Sequence, residues 1–302
     1  MKKARIEVRR QQARRRQVAQ WSIGGSLVVA LIAVAGWLLS RGGGGTPFIS
    51  RLSTSDFHSL AFSPTKPETV FFGHHGGLMV SDDGGRTWRP ASLHNADAMA
   101  LAAPPFNPQI MYAAGHGVLT KSSDGGLTWQ TLAANLPGTD IHGFAAAPQD
   151  ANHVFAYVVG FGIWASQDGG LIWQLLSATV PTSTFNLVIG QTEQTLYAAA
   201  GQAGLWRSQD GGNTWAAMPS MPGGGMVALA FDSSGGRLFA TATGNEAGLY
   251  ASGDDGATWT ALGLKGALLA IAVSPLDPKH MLAVDQTGRV YASRDGGATW
   301  TK

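Results

Sequence analysis

The stretch Ser81-Asp82-Asp83-Gly84-Gly85-Arg86-Thr87-Trp88 decides the fold, because its Ser-x-Asp-x-Gly-x-Thr-Trp pattern returns at Ser122, Ser166, Ser208, Ser252 and Ser293. Only Ile172 departs from it, in place of threonine. The closing tryptophans Trp88, Trp129, Trp173, Trp215, Trp259 and Trp300 are 41, 44, 42, 44 and 41 residues apart, the period of one four-stranded propeller blade. Asp83, Asp124, Asp168, Asp210, Asp254 and Asp295 are placed to accept hydrogen bonds from turn amides. The glycine beside each supplies a positive φ, and each tryptophan offers a large ring for burial between sheets. A phosphate cradle would need a following helix and a calcium loop a closing bidentate glutamate; neither occurs here, so the pattern reads as scaffold.

The rest of the blade lies on either side of the hairpin. In residues 56–93 the reading is an inner strand His58 to Phe62, a turn at Ser63-Pro64, a strand to Phe72, a turn at His74-His75-Gly76, a third strand Gly77 to Val80, and an outer strand from Arg89. The sixth hairpin ends at Trp300 with no fourth strand after it. Displaced by one period, Phe48-Ile49-Ser50-Arg51-Leu52 falls on Arg89 to Leu93, which predicts that residues 48–52 complete blade six and remove the ring's open edges. The expected fold is an all-β, six-bladed propeller over residues 47–302.

Charge is unevenly placed. Nine of the 21 Lys/Arg lie in residues 1–41 with one of the 19 Asp/Glu, which leaves 12 against 18 from residue 42 onward, or about −6. A nucleic-acid surface is disfavoured for that part. Residues 1–20 read as a basic cytoplasmic segment. Residues 21–40 read as a membrane anchor, since Trp21 to Leu39 carries no charge and spans roughly 28 Å as a helix. Residues 41–46 read as a Gly-rich linker. The positive-inside rule then puts the propeller on the extracytoplasmic side, tethered uncleaved and monomeric. Zero cysteines means no disulfides at that address.

The six hairpins resemble the Asp-box, or BNR, repeats of the sialidase and sortilin-like superfamily. That group also holds xyloglucan-cleaving glycosidases and propellers that assist photosystem II assembly, and small exported bacterial members labelled glycosyl-hydrolase-like are similar in size and layout. The resemblance implies a propeller whose Asp boxes lie away from the ligand face. A true sialidase would also need an Arg-Ile-Pro signature and an arginine triad; the signature does not occur, and the few arginines after residue 42 fall mostly in hairpins or outer strands. Tyr250 and Tyr291 align with Trp164 and Trp206, which reads as packing.

The opposite face gathers His58, His74, His75, His94, His116 and His142, from the first three repeats, with Asp56, Asp97, Asp140, Glu246 and Asp285. The candidate binding set is His58, His74, His75, His116, His142, Asp56 and Asp140. A divalent metal on His58, His74 and His142, a pair of hydrolytic carboxylates, and plain polarity around a channel are the three chemistries this set allows. The leading expectation is a binding module for a protein or glycan ligand. A glycosyl-hydrolase-like enzyme and an assembly factor for a membrane complex are the alternatives, the last weakened by the acidic domain where that resemblance implies a basic patch.

Overall fold

The computed structural model of the chain describes residues 46–300 apart from Ser55 and Ser220; the expected basic segment, the anchor at 21–40 and nearly all of the linker lie outside the described residues. Among the described residues no helix is long and apolar enough to cross a membrane. Short apolar runs separated by tight turns form six four-stranded antiparallel sheets, five of them built in simple chain order. Blade one is Ser59–Phe62, Val70–His74, Gly77–Ser81 and Arg89–His94. His94 is thus the last residue of an outer strand, opposite Gly77.

Blade six closes as its register requires. Ser50–Arg51 pairs antiparallel with Arg289–Ser293, Ser50 opposite Val290 and Arg51 opposite Arg289, as the outermost strand of a sheet whose other members come from residues 268–293. Backbone bonds from Ile49 N to Val290 O (2.9 Å) and Leu52 N to Gly288 O (2.8 Å) extend the seam. Ser50 also reaches blade one, where its hydroxyl donates to Gly85 O and accepts from the Trp88 indole at 3.2 Å. One strand therefore ends the last sheet and docks on the first.

Burial grades outward from the second strands. Met111–Gly115, Val154–Val158 and Met281–Asp285 are buried at every position, whereas the outer strand Arg89–His94 has no buried residue. The innermost strands of all six blades line one central channel, His58 among its lining. The box tryptophans fill the seams between blades: Trp173 N donates to Asn135 Oδ1 (2.7 Å), beyond the outer strand of the blade before, and Trp300 Nε1 reaches Leu262 O at 3.1 Å in the same sense. Tyr250 and Tyr291 are buried, as their alignment implied, and the Tyr291 hydroxyl donates to Asp285 Oδ2 at 2.9 Å.

Each Asp box is a closed hydrogen-bond ring. In the first, Asp83 Oδ1 accepts from Ser81 Oγ (2.8 Å), Arg86 N (3.0 Å) and Thr87 N (2.9 Å), while Oδ2 accepts from Thr87 Oγ1 (2.7 Å). Gly84 and Gly85 take φ of 72° and 89°, the left-handed values a side chain would penalise. The carboxylates are fully used within their own hairpins, so the repeat is structural.

Candidate functional site

Three blades place an aspartate just before the inner strand, namely Asp56, Asp97 and Asp140. By sheet register the corresponding residues of blades four to six are Ser183, Gly225 and Ala267. The turn after the second strand carries His75 in blade one and His116 in blade two, but Val159 in blade three. Aspartate at the first of these positions and histidine at the second are thus confined to the first three blades, and the fold turns them into an arc.

The arc follows one rule twice. Each turn histidine bonds the aspartate of its own blade through Nδ1: His75 to Asp56 Oδ2 at 2.6 Å, and His116 to Asp97 Oδ2 at 2.6 Å. Its Nε2 then reaches toward the aspartate of the next blade, His75 to Asp97 Oδ2 at 3.5 Å and His116 to Asp140 Oδ1 at 3.1 Å. His142, two residues after Asp140, ends the series with its Nε2 3.0 Å from Asp140 Oδ1 and 3.0 Å from His116 Nε2. His58 lies inside the arc, 3.9 Å from Asp56 and 3.8 Å from Asp97, its ring 4.5 Å from that of His75.

A close approach makes this possible. Gly115, the last residue before the His116 turn, sits so near the Asp97 backbone that an added Cβ would overlap the Asp97 carbonyl oxygen. Only glycine lets the connection from blade one pass there and deliver the Asp97 carboxylate to His116.

Charge states follow from these neighbours. The Asp140 and Asp97 carboxylates beside it outweigh the partial burial of His116 and raise it to about 10, so it is an imidazolium at neutral pH. Burial would raise Asp97 and Asp140, but the histidines beside them outweigh it and hold both below the usual carboxylate range. Burial, and then repulsion from His75, lowers His58 to about 4 and keeps it neutral.

Of the seven candidates, six join the arc: Asp56, His58, His75, His116, Asp140 and His142. His74 does not. It points back into its own turn, where Nδ1 accepts from Gly76 N at 3.1 Å, and its ring stacks on Phe72 at 6.0 Å. The expected trio His58, His74 and His142 is accordingly absent from the three-donor groups among the described residues, which are Asp56-His58-His75, His75-Asp97-His116 and His116-Asp140-His142. Asp97, absent from the candidate binding set, is the pivot of the arc. Its signal was its place two residues before Met99, where blades one and three carry histidine. Glu246 lies in an exposed 3-10 turn, and Asp285 is absorbed by Thr287 and Tyr291 within its own blade.

A six-bladed ring of Asp-box sheets defines a BNR-type propeller. The family described as photosynthesis system II assembly factor YCF48 matches residues 51–187, the half of the ring that bears the arc. No curated protein shows significant similarity to the chain. Among solved structures, a GH74 xyloglucanase from Xanthomonas campestris is similar at 19% identity and TM-score 0.60, covering 84% of this chain and 46% of its own, so this chain spans about half the length of that enzyme. A YCF48 bound to D1 peptide is similar at 20% identity and TM-score 0.54, covering 83% of this chain and 82% of its own. YCF48 from Cyanidioschyzon merolae gives 20%, 0.53, 85% and 87%. At these identities the structural likeness is one of fold.

Proposed function

We propose that this chain is a peptide-binding propeller of the assembly-factor type, held by residues 21–40 at the extracytoplasmic side of a membrane, with the Asp–His arc as its recognition face. The observation that carries the reading is the coincidence of the YCF48 family match with the half of the ring that alone bears the arc. The solved YCF48 complex holds a D1 peptide, which supports a peptide segment of a protein partner as the ligand class. A domain of about −6 attracts basic segments, so the partner expected here carries Lys or Arg where it meets the face.

The test selects peptides from a displayed random library on the full chain in detergent. The selected peptides should be rich in Lys and Arg and should bind the His75→Ala/Asp97→Asn double variant at least ten-fold more weakly, while Asp150→Asn, in a turn on the Asp-box side, leaves affinity unchanged. Equal binding to all three proteins would exclude the face. Protease added to intact spheroplasts tests the address: digestion of the propeller supports it, and protection refutes it.

A further inference from the structure

We infer that His116, Asp140 and His142 form a mononuclear site for a divalent first-row transition cation, with Asp97 as the residue that orients His116. The inference does not depend on the peptide reading. It rests on three donor atoms, His116 Nε2, His142 Nε2 and Asp140 Oδ1, which stand 3.0, 3.0 and 3.1 Å from one another. A cation about 2.1 Å from each donor would require separations of about 3.0 Å for one face of an octahedron and about 3.4 Å for a tetrahedron. The triangle already has the size of an octahedral face. Two imidazoles and one carboxylate on such a face leave the remaining positions for water or another ligand.

A hydrogen-bond network accounts less well for the same atoms. The three contacts among these atoms would need a proton each, but the carboxylate carries none and each ring nitrogen at most one, so at least one contact is left without a proton whatever the charge of His116; a cation would take the place of the Nε2 proton. Asp140 Oδ1 is in fact buried and accepts no hydrogen bond of regular geometry, although both ring nitrogens are within 3.1 Å of it. A cation satisfies all three donors together. The bond that His116 Nδ1 donates to Asp97 is the contact that metal-bound histidines commonly make through their other ring nitrogen, since it fixes the tautomer and the ring plane. The side chains of His116 and Asp140 are 44% and 30% exposed, which leaves an entry path from solvent. The other two donor groups are less regular; in His75-Asp97-His116 the separations to Asp97 are already 2.6 and 3.5 Å.

The experiment strips the full chain, in a non-ionic detergent, with a chelator, and titrates it with Zn²⁺ by calorimetry and with Co²⁺ by visible absorption. One equivalent of either ion is expected. His142→Ala and His116→Ala should weaken binding at least 100-fold, Asp97→Asn by about 10-fold, and His74→Ala not at all. No bound ion, or binding that survives in both histidine variants, would overturn the site. X-ray absorption of the Zn²⁺-loaded wild type reads the ligands without any variant: two imidazoles are expected, and none would reject the assignment. Loss of metal leaves peptide selection to stand or fall by its own result.

Discussion

At Asp168 the box carboxylate keeps its Ser166 hydroxyl partner but lacks the threonine hydroxyl that its five counterparts have. Thr128, Thr214, Thr258 and Thr299 donate Oγ1 to their aspartates at 2.5, 2.6, 2.6 and 2.5 Å, and that bond is the leading reason Asp124, Asp210, Asp254 and Asp295 fall to about 2. Ile172 offers only its backbone N–H, at 2.9 Å, and leaves an apolar side chain 63% exposed. Ile172→Thr should therefore raise the melting temperature by about 1–3 °C and move the Asp168 titration lower, as read by calorimetry and carboxyl NMR. The same carboxylates contribute a small acid-sensitive part of the stability, small because they are exposed to solvent. A folded pKa below the unfolded value adds stability above about pH 4 that is lost as pH falls toward about 2, so a small drop in melting temperature is expected in that window. A melting temperature that held steady across it would place the acid-sensitive groups elsewhere.

Among the elements, the inner strands and the turns above them carry the specificity. The arc exists because a turn in one blade reaches the aspartate of the next, and Gly115 admits the Asp97 connection between them. Gly115→Ala should cost about 1–3 kcal/mol in denaturant unfolding and should also abolish the NMR signature of the Asp97–His116 hydrogen bond. A variant of native stability with that bond intact would show that the backbone yields there. These contacts also mark where the sequence becomes hard to read. Periodicity revealed the blades because each Asp box satisfies itself within eight residues, and the same local closure made the boxes recognisable as scaffold. The arc joins residues whose partners lie one blade away, at separations that depend on turn geometry. His74 and His75 are neighbours in one turn, yet only His75 meets Asp56, and nothing in their types distinguishes them. Asp97 lacks the Asp-x-His pattern of its counterparts, since Met99 stands where they carry histidine, so its sequence alone does not mark it as a ligand.

For the whole molecule, the ring depends on a strand drawn from far along the chain. Leu52→Pro removes the amide that bonds Gly288 O and disturbs a buried side chain. It should cost about 2–5 kcal/mol, mostly from the lost burial of Leu52, and increase light scattering on warming, because blade six would then present an unpaired edge. Unchanged stability and scattering would mean that the outer strand is dispensable. Ser50 pairs with Val290, whereas the other strand pairs join neighbours in the sequence. A chain emerging from the ribosome can fold blades one to five as local units, but this seam must wait until the strand at Arg289–Ser293 has been made. Until then the first strand has no sheet to join, and the Ser50–Trp88 contact would bind it only weakly. Closure is therefore expected to be the last and slowest event of folding, the stage at which the half-built propeller is most exposed to chaperones and proteases.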